Sequence, residues 1–125
     1  VYDDRGAGEV ARGSEQIRAH AASVHAAFPD LSFELVRAAH GDNFTAGEWR
    51  SRMTHGGELD GLRATGRVVE SAGVDVATLD SEGRISGLVS YYDGAEIMRG
   101  LGLLPGRGSR LERALVRAAS LLPRR

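Results

Sequence analysis

Residues 67–93, RVVESAGVDVATLDSEGRISGLVSYYD, constrain the chain more than any other stretch. They read as two long strands joined by a tight turn. Side chains alternate along a strand, so Val68, Val74 and Val76 share one face. Val69, Ser71, Gly73, Asp75, Ala77 and Leu79 share the other. Asp80-Ser81-Glu82-Gly83 supplies the turn, with Gly83 free to take a positive φ. Residues 85–92 return antiparallel. Asp75 is the anomaly. A carboxylate in mid-strand among valines must find a partner, reach water or stay protonated.

The flanking segments extend this hairpin into a sheet with helices. Residues 1–4 read as a strand end, and 5–13 as a Gly-rich connection. A helix follows, with Ser14 as its N-cap, Glu15 in its first turn and an apolar stripe of Ile17, Ala21, Val24 and Phe28. Pro29-Asp30 stops it. Residues 31–40 and 44–55 read as strands around a Gly41-Asp42-Asn43 turn. On the second, Trp49, Ser51, Met53 and His55 share a face opposite Glu48, Arg50 and Arg52, which should be wet. Residues 56–65 form a loop, expected to be mobile at Gly56-Gly57. Asp93-Gly94 opens a short helix through Ile97, Met98 and Leu101. Ser109 caps a last one, with Leu111, Leu115, Ala118 and Leu122 on one stripe.

The predicted fold class is α+β: a cone-shaped, curved antiparallel sheet with helices on its concave side, leaving room for a pocket. Residues 1–105 make the cone domain, and 106–125 a basic amphipathic C-terminal helix. Its arginines, 107, 110, 113, 117, 124 and 125, face a single Glu112. The expectation is that its leucines pack on the body while the arginines stay wet.

A formal net charge of −1 gives no reason to expect nucleic acid. With no cysteine there is neither a disulfide framework nor a thiolate metal site. His20 and His25 are five apart on a helix and share no face as a metal pair would. No metal and no cofactor is expected. There is no Walker motif and no Gly-x-Ser-x-Gly elbow. No apolar run reaches the roughly 18 residues of a membrane span, and no signal-peptide pattern opens the chain. A cytoplasmic location without membrane partners is expected. Val1 lies inside a strand, which suggests a further N-terminal segment.

Four segments, GLRATGR (61–67), GVDV (73–76), EGRI (82–85) and YYDGAEIMRGLGLLP (91–105), resemble the SnoaL-like polyketide cyclase or ester cyclase group. That group belongs to the nuclear-transport-factor-2-like superfamily of cone-shaped α+β domains. VYDD with its Gly-rich turn, followed by RGSEQIRAH (12–20), fits the front half of the same superfamily. The resemblance implies a small acid/base enzyme or a non-catalytic ligand-binding or dimerisation module. Superfamily members usually begin with a helix ahead of VYDD, which is absent here.

The resemblance carries two different site patterns. Ketosteroid isomerase, of the same superfamily, has a general-base Asp that matches Asp3. Its protonated oxyanion-hole Asp, an established example of a neutral carboxyl donor, matches Asp75. Polyketide cyclases place an acid/base Asp at the position of Ser90 and a His at Val76 or Asp75, so their pair is not preserved. The implied reaction passes through an enolate of an apolar carbonyl substrate, with Asp3 as base and Asp75 as oxyanion donor. Trp49, Met53, His55, Leu88, Ser90 and Tyr92 would line the substrate pocket, His55 at its mouth. The alternative for Asp75 is a structural partner: Trp49 Nε1, Tyr92 or Arg67. Asp3 equally suits a turn, and Trp49 and Met53 a core. A homodimer is also implied, with Val68, Val74 and Val76 on the convex side where a partner sheet could cover them.

Overall fold

The structure, a computed structural model, describes residues 1–123. Arg124 and Arg125, the last two arginines of the basic tail, lie outside the described residues. Six strands form one open sheet in the order β2-β1-β6-β5-β4-β3. They are β1 (Tyr2–Asp4), β2 (Glu9–Ala11), β3 (Ser32–His40), β4 (Phe44–Thr54), β5 (Val68–Leu79) and β6 (Ile85–Tyr92). Helix α1 is Gly13–Ala27, α2 is Gly94–Gly100 and α3 is Arg110–Ser120.

The β5–β6 hairpin is the spine expected from its alternation. Asp80 Oδ1 accepts the backbone N–H groups of Glu82 and Arg84, both at 2.9 Å, and Gly83 takes a φ of 76°. The sheet is mixed rather than antiparallel throughout, because β1 pairs parallel to β6. Parallel neighbours need a long crossover, which everything between these two strands provides. Strand β2 was hidden in the Gly-rich connection. Three residues are too few to show a period, and its pairing with β1 alone reveals it.

α1 starts two residues earlier than its composition suggests. Arg12 is the N-cap without a side-chain bond, so Ser14 does not cap, and Gln16 Oε1 accepts the Arg12 N–H at 2.8 Å. The inward stripe runs Ile17, His20, Val24 and Ala27, while Ala21 is exposed. Ala27 and Phe28 at the end of α1 meet Met53 and Val69 of the sheet and Leu101 after α2, forming the closed end of the concave side. The Gly56-Gly57 pair belongs to this packing rather than to a loose loop. Both N–H groups donate to the Ala27 carbonyl at 3.0 Å.

Asp30 ties the α1–β3 turn to the end of β4. Its carboxylate accepts Thr54 N–H and Thr54 Oγ1–H, both at 2.6 Å. These two donors hold its carboxyl below the ordinary value. A depressed folded-state value means stability present above the ordinary carboxylate range and lost as pH falls through the folded one. Acid unfolding followed by circular dichroism should therefore have a component that Asp30→Asn removes.

α3 departs from expectation. Ser109 caps it as predicted, accepting Glu112 N–H at 3.1 Å. Yet its leucines do not pack on the body: Leu111 and Leu115 are 60% and 51% exposed.

Candidate functional site

The concave face is ordered in rows by the strand registers. Asp4 lies beside Ser90, and Ser90 beside Asp75, so two carboxylates flank one serine across β1, β6 and β5. Two strand spacings separate the acids, about 10 Å between Cα atoms. One neighbouring row contains Tyr92, Gly73 and Trp49, and the other contains Tyr2, Leu88 and Ala77. The Trp49 and Tyr92 rings lie 5.8 Å apart, which the missing side chain of Gly73 permits: a Cβ there would stand 2.6 Å from the indole.

Asp75 is half-buried and fully engaged on one oxygen. Trp49 Nε1 donates to Oδ1 at 2.8 Å and Ser90 Oγ donates to the same atom at 2.7 Å. Tyr2 OH in turn donates to Ser90 Oγ at 3.1 Å. Of the three structural partners weighed for Asp75, the structure selects Trp49. Arg67 instead brings its guanidinium against Gly102.

Asp3 does not join this group. Alternation turns it to the opposite face, in the row of Val89 and Val76, where its carboxylate pairs with Arg5 Nε at 2.9 Å. An Asp3–Asp75 pair opening into one cavity is thus excluded by strand parity. Asp4 takes the inward place. It is 4% exposed, with Oδ1 accepting Ala7 N–H at 2.9 Å and Oδ2 facing His20 Nε2 at 3.1 Å. His20 Nδ1 faces Glu9 Oε2 at 2.9 Å. Both bonds are made together only when the ring carries two protons or one of the carboxyls carries one. The result is a polar path from a buried acid, through a largely covered imidazole, to an exposed one.

Burial raises the phenol of Tyr2 above its ordinary value, and Asp4 and Asp75 add to this by repelling a phenolate. Tyr92 is raised much further, again by burial first and then by the neighbouring Asp4 carboxylate. Both rings therefore remain neutral donors beside the carboxylates.

The remaining predicted lining residues separate. Leu88 is half-buried in the Tyr2 row, and Ser90 is buried between the acids. Met53 is 5% exposed and belongs to the core. His55 is not at a pocket mouth but fully buried, with its ring 5.6 Å from Phe28 and Nδ1 accepting Thr65 N–H at 3.2 Å. The β4–β5 ladder runs on past Thr54 here, with His55 N–H donating to Arg67 O at 2.9 Å. Sequence reasoning missed Asp4, His20 and Tyr2. A signal existed for His20, three residues after Ile17 and four before Val24, hence on the inward stripe.

One hollow adjoins the site, and a second is lined by none of its residues. A cleft of about 280 Å³ between α1 and the β1–β2 hairpin is lined by Tyr2, Glu9, Gln16 and His20, among others. A larger one, about 790 Å³, spans β3, β4 and β5 and reaches Asp93 and Glu96.

A family model of SnoaL-like polyketide cyclases matches residues 1–101. The chain belongs to this family. Solved structures with the same fold include a candidate SnoaL-like polyketide cyclase from Jannaschia sp. CCS1, 19% identical, with a TM-score of 0.75 over 83% of this chain and 71% of that one. AclR from Streptomyces galilaeus, a candidate hydroxylase, is 20% identical with a TM-score of 0.73 over 95% and 73%. A protein with a ketosteroid isomerase-like fold from Catenulispora acidiphila, in complex with trimethylamine, is 16% identical with a TM-score of 0.68 over 82% and 73%. No curated protein matches. At these identities the solved structures establish the fold of this SnoaL-like chain. Among the described residues no helix is long and apolar enough to cross a membrane.

Proposed function

We propose that this SnoaL-like protein is a cofactor-free acid/base enzyme acting on an apolar carbonyl compound through an enolate. The observation that carries the reading is the row of Asp4, Ser90 and Asp75 on one face, flanked by neutral phenols. Asp4 takes the proton α to the carbonyl. The C–H electron pair moves into the enolate, whose oxygen accepts a hydrogen bond from Tyr92. Donors aimed at developing negative charge are worth most in a buried site. The proton then returns to another carbon in an isomerisation. In an intramolecular aldol cyclisation the enolate carbon instead attacks a second carbonyl of the same substrate, and the new alkoxide takes the proton. His20 holds Asp4 in place, and Glu9 connects it to solvent. Asp75, with Oδ1 occupied, fixes Trp49 and the Tyr2–Ser90 chain, leaving Oδ2 as its only oxygen for a substrate. Trp49, Leu88 and Tyr92 supply an apolar wall for a flat ligand.

The test is deuterium exchange of the α-protons of an aromatic β-diketone in D₂O, followed by NMR. The enzyme should accelerate exchange well beyond free acetate at equal concentration. A second reading, a ligand-binding module, is favoured by the Trp49–Asp75 bond. It predicts quenching of Trp49 fluorescence by the same diketone with no exchange.

The same reading includes a cytoplasmic homodimer paired through the convex face, supported by Val68, Val74 and Tyr91, which are 47%, 37% and 50% exposed there. Static light scattering should give twice the chain mass, and a monomer at high concentration would remove this element.

A further inference from the structure

Strands β1 and β2 bring two acids face to face. Their register sets Asp4 directly opposite Glu9, and α1 places His20 between the two side chains. The ring meets Asp4 Oδ2 through Nε2 at 3.1 Å and Glu9 Oε2 through Nδ1 at 2.9 Å. Like charges directly across an antiparallel pair repel. Among the described residues, neither carboxylate has an ion-pair partner other than this imidazole. The turn that delivers Glu9 is built on Asp4 itself. Asp4 Oδ1 accepts Ala7 N–H at 2.9 Å, and the Asp4 carbonyl accepts Gly8 N–H at 2.8 Å. Cover is graded along the group. The Glu9 side chain is 59% exposed and that of His20 only 12%, and the small cleft is lined by these two but not by Asp4. Glu9 is the charge in this group that solvent reaches.

A buried carboxyl beside an imidazole has two arrangements with the same number of protons. In one the proton sits on the acid, COOH···N. In the other it sits on the ring, COO⁻···HN⁺. Burial favours the first, because neither group is then charged. A carboxylate at the far ring nitrogen favours the second, because it forms a charge-assisted hydrogen bond with the imidazolium. We propose that Glu9 is a positioning residue for the base: its carboxylate keeps the proton on His20, so that Asp4 stays ionised and ready to receive the α-proton. The role in catalysis rests on the enolate reaction proposed above; the placement of the proton does not. Glu9 acts through the ring and touches no reacting atom. The cleft beside it, about 280 Å³ and lined also by Tyr2, Gln16 and Ser23, has room for a formate ion to take the place of its carboxylate when the side chain is cut back.

The test joins side-chain ¹⁵N NMR of His20, assigned by its loss in His20→Gln, to exchange of the diketone α-protons. In the wild type at neutral pH both His20 ring nitrogens should carry a proton. In Glu9→Ala the ring should become singly protonated. Exchange should fall about tenfold or more, what a hydrogen bond to a charged group is worth, while diketone affinity read from Trp49 quenching stays constant. Glu9→Gln, which keeps an acceptor but no charge, should resemble Glu9→Ala. Sodium formate should restore exchange in Glu9→Ala saturably and return the second ring proton. It should not restore Asp4→Asn, because position 4 lines neither hollow. A doubly protonated ring in Glu9→Ala without formate, or a singly protonated one in the wild type, overturns the proposal. So does a loss of rate that formate repairs equally in Asp4→Asn. If the spectra are as expected but the wild type exchanges no α-protons, the enolate reading is refuted and the charge arrangement around Asp4 is supported.

Discussion

Asp4→Asn is expected to lower α-proton exchange by about 10²- to 10⁴-fold, the usual worth of a positioned general base. The amide keeps an oxygen for the Ala7 N–H and the volume of the side chain, so the fold and Trp49 fluorescence should persist. Asp3→Asn should have little effect, because Asp3 faces away and its partner is the exposed Arg5. This contrast checks the strand parity as well as the chemistry. His20→Gln is expected to fall between the two. It keeps an N–H donor for Asp4 but loses the link to Glu9, so it should lower the rate while the affinity read from Trp49 quenching stays constant. If Asp4→Asn and Asp3→Asn behave alike, the exchange does not occur in this site.

Gly57→Ala is expected to destabilise the protein by about 3 kcal/mol, at the upper end of what overpacking does. A Cβ at this position would stand 1.9 Å from the Ala26 carbonyl oxygen and 2.9 Å from its carbon. Those are backbone atoms in the last turn of α1, so no side chain can rotate aside. Relief requires moving either the helix end or the loop. Both are tied to the closed end of the concave face, because Gly56 and Gly57 donate to Ala27 and Phe28 packs on His55. The melting temperature should fall by roughly 10 °C or more for a chain of this length. Gly106→Ala is the control. It has open space around the new methyl group and an ordinary φ, so it should be neutral or stabilise by about 0.5 kcal/mol through the unfolded state. Equal losses at both positions would mean that the Gly57 contact is not what limits stability.

Much of the sheet was legible because its long strands repeat a two-residue period over many residues. The turns at Gly83 and Asn43, the wet face of Glu48, Arg50 and Arg52, and the inward set of Trp49, Asp75, Ser90 and Tyr92 all follow from that count. β1 was different. Tyr-Asp-Asp contains two adjacent acids and no apolar alternation, so either Asp3 or Asp4 could have pointed inward.

What the sequence by itself determined is the run of long strands β4, β5 and β6: alternation over eight to twelve residues leaves each of them only one face to bury. Tertiary structure alone decided which acid enters the site, because the parallel register of β1 on β6 is a contact between chain positions more than eighty residues apart. It also decided that His55 is core, that His20 bridges two carboxylates and that α3 stands free. Those outcomes depend on which surfaces meet in space, and a local pattern of side chains does not encode the distance between them.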